Sequence, residues 1–343
     1  MSIKLSNRLL GQTLIIFAGA ALLFTGISLT KSKVVEVTPA KAQISETLLP
    51  ATENKSATLV FTGDIMLNRR VEMMMRSNGN YKFPFLKIAD DLKKADVLFG
   101  NLEGPISDKG QKVGSIYSFR AEPEAIEGLT YAGFDVLSLA NNHAFDYGKE
   151  ALEDTFLRLK KAEIDYVGAG LNGTEAFSPL IKEVNGLKIG FLAYTNLGPK
   201  TWRAGSGTGI AWVNEKSFED LKNNISLART KVDILIVSLH AGEEYIADPS
   251  QFQVDFSHAA IDAGADIVIG HHPHITQKEE EYNGGYIFYS LGNFVFDQSF
   301  SEKTMQGEMV KVVVEDGKIK EVSPVSIKLN DSFQPEIIDN SKI

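Results

Sequence analysis

The sequence predicts an α/β protein in which two mixed sheets pack together and helices flank them. A unit recurs along the chain: a helical pattern, a short turn, an Asp, an apolar β-rich run and a polar cluster. It appears at 85–94 before Asp96, 122–131 before Asp135, 218–229 before Asp233 and 252–263 before Asp266. The runs are continuous Val/Ile/Leu strands, as in sheets covered on both faces. Hairpin signals interrupt the series. Asn185-Gly186 joins Leu180–Val184 to 187–194, and that dipeptide favours a tight two-residue turn. Glu315-Asp316-Gly317 joins 309–314 to 319–324, after a further strand at 285–290. Parallel units mixed with hairpins suit two sheets better than one doubly wound sheet.

The folded body begins at the strand 58–61 and is expected to run to about residue 330 as one domain. Before it, Lys4 and Arg8 precede an uncharged, mostly apolar stretch at 9–30, followed by Lys31 and Lys33. That length spans a bilayer as a helix. Residues 1–30 therefore read as an uncleaved signal anchor, with a cleaved signal peptide as the alternative; Ala40-Lys41-Ala42 lies well past the apolar end. Either way the body is expected outside the cytoplasmic membrane, as a single-pass, N-terminally anchored protein. Residues 31–57 read as a linker. Residues 331–343 read as a polar tail that frays.

Composition excludes several function classes. Hydrophobic and charged fractions of 43% and 23% are those of a folded protein. A net charge of −9 argues against nucleic acid as a partner. With no cysteine, disulfide scaffolds, thiolate zinc sites and cysteine nucleophiles are all ruled out. No Gly-x-Ser-x-Gly elbow follows a strand, so serine hydrolase chemistry has no support.

Five of the six histidines fall just after apolar runs, at expected strand ends. In open α/β sheets the carboxyl edge of the strands is where ligands and reacting groups gather. Asp64 follows 59–63 and can reach a metal or cap the helix expected at 68–76. Glu103 lies between Gly100 and Gly104, as a metal-bridging carboxylate or as part of a plain surface turn. Asn141, Asn142 and His143, with Asp146 beyond, supply amides and an imidazole that are costly to leave unsatisfied. An amide ligand beside a general acid is the better reading there. His240 ends the strongest strand and is followed by Glu244. In Gly270-His271-His272-Pro273-His274, extended backbone points His272 and His274 the same way and turns His271 elsewhere. Neutral imidazoles bind first-row divalent ions well. Asn293 and Asp297 end another run and line the same crevice. Arg203, in a Gly-rich run at 202–209, is expected on a loop rimming the site. His258 sits within a helix and receives no role. Asp96, Asp135, Asp233 and Asp266 read as turn and cap residues.

The ordered set Gly-Asp, Asn-Leu-Glu-Gly, Asn-Asn-His, His-x-Gly-x-Glu, Gly-His-His-Pro-His and Ser-Leu-Gly-Asn-Phe runs from about Leu59 to Asp297. It resembles the capsule-biosynthesis CapA family, poly-γ-glutamate synthesis proteins related to the calcineurin-like metallophosphoesterases. The resemblance implies a four-layer α/β/β/α sandwich and two divalent metal ions, with Mn, Fe, Zn, Mg and Ca not distinguished. Asp64, Glu103, Asn142, His240, His272 and His274 become the implied ligands. Of these, Glu103 bridges, His240 and His272 complete one metal and His274 the other. His143 is the implied acid, with Asn141, Asp146, Glu244, Asn293 and Arg203 around it. Met66 stands where the broader phosphoesterases usually have a His ligand, and Glu103 where they usually have an Asp; CapA-like proteins commonly share the Met66 change. The implied role is capsule or poly-γ-glutamate synthesis or export. Its partners would be the cytoplasmic membrane, other subunits of a synthesis complex, and an anionic polymer or phosphoester. A metal-dependent hydrolase of another envelope substrate and a non-catalytic polymer-binding accessory are the alternatives.

Overall fold

A computed structural model describes residues 55–113 and 115–338. The expected anchor, nearly all of the linker and residues 339–343 lie outside the described residues. Among the described residues, no helix is long and apolar enough to cross a membrane.

In chain order the strands are β1 Ser56–Ile65, β2 Val97–Leu102, β3 Val136–Ser138, β4 Asp165–Val167, β5 Ala169–Gly170, β6 Leu180–Val184, β7 Leu187–Thr195 and β8 Gly209–Ile210. They continue with β9 Ile234–His240, β10 Ile267–His271, β11 Glu279–Tyr282, β12 Gly285–Phe288, β13 Asn293–Val295, β14 Gln306–Glu315, β15 Lys318–Leu329 and β16 Pro335–Ile337. The helices are α1 Arg69–Ser77, α2 Ala89–Leu92, α3 Ile126–Ala132, α4 Gly148–Lys161, α5 Gly173–Phe177, α6 Phe218–Arg229 and α7 Gln251–Asp262.

Two mixed sheets dominate. One runs β16-β15-β14-β1-β2-β3-β4, with β13 added beside the end of β1; the other runs β11-β12-β10-β9-β7-β6. The parallel cores are β1 to β4 and β7-β9-β10-β12, while β14 to β16, β6 and β11 are antiparallel additions.

Alternation along each strand sets the layers, because successive side chains leave opposite faces. Leu59 and Phe61 of β1 join Ile234 and Ile236 of β9 in a cluster between the sheets. Val60 and Leu98 face the other way, against Val71, Leu129 and Leu152 from α1, α3 and α4. On the second sheet, Leu235 and Val237 face Leu221, Ile225 and Phe256 of α6 and α7. The order is helix, sheet, sheet, helix.

The four aspartates that open strands do more than cap turns. Asp96 accepts from Thr58 N at 2.8 Å, Asp135 from Leu98 N at 2.8 Å, Asp233 from Lys188 N at 2.7 Å and Asp266 from Leu235 N at 2.7 Å. Each carboxylate thus takes a backbone N–H of the adjacent strand and pins the register at the edge opposite the histidines.

Three expectations are corrected. The helix expected at 85–94 is a 3-10 turn, Phe83–Phe85, and the single turn of α2. The tail does not fray from residue 331: β16 pairs with β15, and Phe333 is fully buried. Burying that ring favours order by roughly 2 kcal/mol. The β15 strand runs on to Leu329 rather than ending at 324. Sequence reading also passed over α4, although Ala151, Leu152, Thr155, Phe156 and Leu159 form a regular buried face.

Candidate metal centre

The carboxyl ends of both parallel cores meet at one edge. Strand register sets the residues side by side: Asp64 opposite Asn101 and Asn293, and His240 opposite His271. Gly63 permits the closest approach. A Cβ there would lie 2.0 Å from the Gly292 carbonyl oxygen, which itself accepts from Asp64 N at 3.0 Å.

Asp64 is fully buried in a basket of donors. Asn101 Nδ2 donates to Oδ1 at 2.8 Å and His272 N to Oδ2 at 3.1 Å. His271 Nδ1 and His274 Nδ1 stand 3.4 and 3.5 Å from its oxygens. Burial alone would raise this carboxyl, but the His271 and His274 imidazoles hold it well below the usual range.

Glu103 is the opposite case. It is buried, and neither carboxylate oxygen has a hydrogen-bond partner. Burial first, then the charges of Asp64, Glu244 and Asp146, push its carboxyl well above the usual value. An unpaired buried carboxylate costs on the order of several kcal/mol. Two orphaned oxygens facing imidazoles are what cations would satisfy. The fit to a metal rests on this residue.

One ligand atom from each of Asp64, Glu103 and His240 lies within 4.8 Å of the others, and the same holds for Glu244, His272 and His274. Carboxylate and imidazole donors without sulfur suit first-row divalent ions. This division differs from the expected one, which paired His272 with His240. The His272 ring does lie between, 5.0 Å from that of His240 and 5.9 Å from that of His274. Asn142 Oδ1 is 2.7 Å from His240 Nε2, so the amide reaches the same point as the imidazole. Burial lowers His240 well below its usual range and, with the His274 charge, takes His272 to about 3. Both rings are therefore neutral and ready to donate.

The His272–His274 pair forms by a different route from the extended backbone expected. Both residues have positive φ, 100° and 58°, in a bend after β10. Such backbone costs about 1–3 kcal/mol per residue and persists at functional sites. His271 ends the strand instead, buried between the sheets beside Phe99 and Asp64.

His143 and Asp146 form a second device. Nδ1 of His143 donates to Asp146 Oδ2 at 2.6 Å, and the same oxygen accepts from Phe119 N at 2.7 Å. The ring stacks on Phe119 with centroids 4.0 Å apart, leaving Nε2 3.5 Å from Glu103. Asn141 binds the Leu102 carbonyl and Asn101, and its Oδ1 accepts from His143 N. Asn293 Oδ1 lies 3.0 Å from His274 Nδ1 and orients that ring.

A cavity of about 550 Å³ opens over these groups, lined in part by Asn142, His143, Glu244, Tyr245 and His274. Arg203 does not line it. Its guanidinium is bound to the Trp212 carbonyl and lies over Phe177. Arg69 holds that place instead, paired with Asp297 and set against Phe119 and Phe296. Sequence reading gave no role to Arg69 or Asn101. The Asn-Leu-Glu-Gly motif had flagged Asn101, whose amide touches Asp64, Asn141 and His240. Nothing in the sequence marked Arg69.

The pKa directions give a signed expectation. Ion binding must displace the proton that Glu103 keeps, whereas His240 and His272 carry none at neutral pH. Affinity for Mn²⁺ should therefore rise with pH through the elevated Glu103 pKa. Calorimetry in buffers of differing ionisation enthalpy should show roughly one proton released per chain near that pKa. Uptake without proton release across the acid-to-neutral range would refute the protonated Glu103. The ion-free protein should respond oppositely at this group: a raised carboxyl binds its proton better folded, so its contribution to stability falls as pH rises through that range.

Two mixed sheets and a buried histidine–carboxylate cluster at their common edge define an α/β protein with residue groups able to hold metal. Residues 58–298 match the family described as "Bacterial capsule synthesis protein PGA_cap". The chain is 34% identical over 319 residues to "Capsule biosynthesis protein CapA" of Bacillus anthracis, covering 89% of this chain and 76% of that one. It is 37% identical over 245 residues to "PGA biosynthesis protein CapA" of Bacillus subtilis, covering 70% of this chain and 63% of that one. The chain belongs to the bacterial capsule synthesis family. Among solved structures, it is similar to TT1561 of Thermus thermophilus, at 14% identity and TM-score 0.40, with 78% of this chain and 97% of that one covered. It is also similar to the sulfate thiohydrolase SoxB of Thermus thermophilus, at 13% identity and TM-score 0.44, covering 82% and 56%.

Proposed function

We propose that this chain takes part in making or exporting a capsule-type polymer, poly-γ-glutamate being the leading candidate. In this reading it works outside the cytoplasmic membrane, held there by its N-terminal segment, beside the other subunits of a synthesis complex. The observation that carries a chemical role is the orphaned Glu103 carboxylate, set among imidazoles under a cavity that also holds His143 and Asp146. Asp64, Glu103, Asn142 and His240 would hold one divalent ion, with His272 and His274 beside it. Bound there, such ions supply positive charge and Lewis acidity toward an anionic substrate.

The chain's own residues supply the rest. Asp146 fixes the His143 ring through Nδ1, so that Nε2 faces the cavity as a proton donor to a leaving oxygen or nitrogen. Asn101 and Asn141 lock the strand ends together. Arg69 is the basic side chain on the cavity wall, and its pairing with Asp297 keeps it in place. A phosphoester, or another hydrolysable bond of an envelope polymer, fits this arrangement.

A second reading, a non-catalytic accessory, is favoured by a relative from Mycobacterium tuberculosis. It is named "Probable polyglutamine synthesis accessory protein" and is 29% identical over 248 residues. One genetic experiment separates the readings. Deleting the gene in its host should remove most envelope-associated polymer; unchanged polymer would sink the capsule role. Complementation with His240→Ala should fail if chemistry is required, and should succeed if the chain only scaffolds.

A further inference from the structure

We propose that Glu244, on the loop after β9, is a direct ligand of a second, exchangeable divalent cation that it shares with His272 and His274. The inference rests on the metal reading above and deepens it by assigning a carboxylate otherwise placed only on the cavity wall.

Three observations support the assignment. Ligand atoms of Glu244, His272 and His274 converge within 4.8 Å. His272 is more than nine-tenths buried, and its Nδ1 has no hydrogen-bond partner. Met66, two residues after Asp64, supplies no donor: it is fully buried in the hydrophobic cluster under α1, its sulfur accepting from Asn68 N at 3.1 Å. The Glu244 loop is also tied to the histidine bend, since Tyr245 N donates to the Pro273 carbonyl at 2.8 Å. The carboxylate is thereby held beside the bend that carries His272 and His274.

Exposure separates the two groups. Asp64, Glu103 and His240 are all buried, whereas Glu244 is solvent-exposed at the cavity mouth. An ion among the first three leaves only through the structure, while one held by Glu244 is reached directly from solvent. The centre should therefore hold one tight and one weaker ion.

Titration of the full-length protein with Mn²⁺, followed by calorimetry and elemental analysis, tests this. Wild type should show two affinity classes. Glu244→Ala and Glu244→Gln should weaken the looser class by about tenfold or more and leave the tight one. His240→Ala should remove the tight class. Two ions bound with wild-type affinities in both Glu244 variants would overturn the assignment while leaving the metal reading intact. No divalent ion bound by wild type would overturn both.

Discussion

Glu103→Gln should abolish the thermal stabilisation that divalent ions confer, and at pH values above the raised Glu103 pKa it should also make the ion-free protein more stable. The two effects share one cause. Glu103 is a buried carboxylate whose oxygens have no hydrogen-bond partner, and burial together with Asp64, Glu244 and Asp146 opposes its ionisation. Glutamine keeps the shape and removes the charge. Above the raised pKa, the ion-free variant should gain about 1–3 kcal/mol, the scale of an unsatisfied buried group. For a domain of this size that is a few degrees or more in Tm. Below that pKa, where wild-type Glu103 is protonated, the difference should vanish. With Mn²⁺ present the order should reverse, because the variant lacks the anionic donor and affinity should fall by ~100-fold or more. Thermal melts at two pH values, with and without Mn²⁺, read all four cases. A variant that keeps the ion-dependent shift would remove Glu103 from the centre.

His143→Ala should cut turnover of a bis-phosphate ester by about 10²–10⁴-fold, the range of general acid catalysis, with bound metal unchanged. His143 is not one of the ligating residues; Asp146 and Phe119 hold its ring, and its Nε2 stands 3.5 Å from Glu103. Asp146→Asn should lie between the variant and wild type. It weakens the acceptor that holds Nδ1 while the ring stays stacked on Phe119. Full turnover in His143→Ala would refute its role as the acid. Loss of metal in the same variant would make it a structural neighbour of the ions instead.

Much of the centre was legible because its chemistry is carried by rare residue types at strand ends. Five histidines after apolar runs, with Asp64 and Glu103, sufficed to place the edge. What stayed hidden came from residue types that are common and versatile. Arg69 follows a strand end by only a few residues, but nothing in its neighbours announces that Phe119, Phe296 and Asp297 will meet it from distant segments. Arg203 had the suggestive glycine-rich surroundings, yet Trp212 and Phe177 claim its guanidinium. Asn101 carried no role of its own within its motif, and only strand pairing turns its amide into the tie between Asp64 and His240.

The sequence by itself determined the alternation of strand and helix, the two-sheet composition and the edge at which the polar residues collect. Periodicity and turn chemistry are local, and they act on the chain wherever it lies. The tertiary structure decided the grouping of ligands, the company of His271, and the burial that makes Asp64 and Glu103 behave oppositely. Those are long-range matters. The bend that brings His272 beside His274 runs through positive φ at both residues, a conformation no local preference selects and only the surrounding packing sustains. Likewise, a carboxylate's charge state follows from which donors the fold delivers. Asp64 receives an amide and a backbone N–H, whereas Glu103 receives neither.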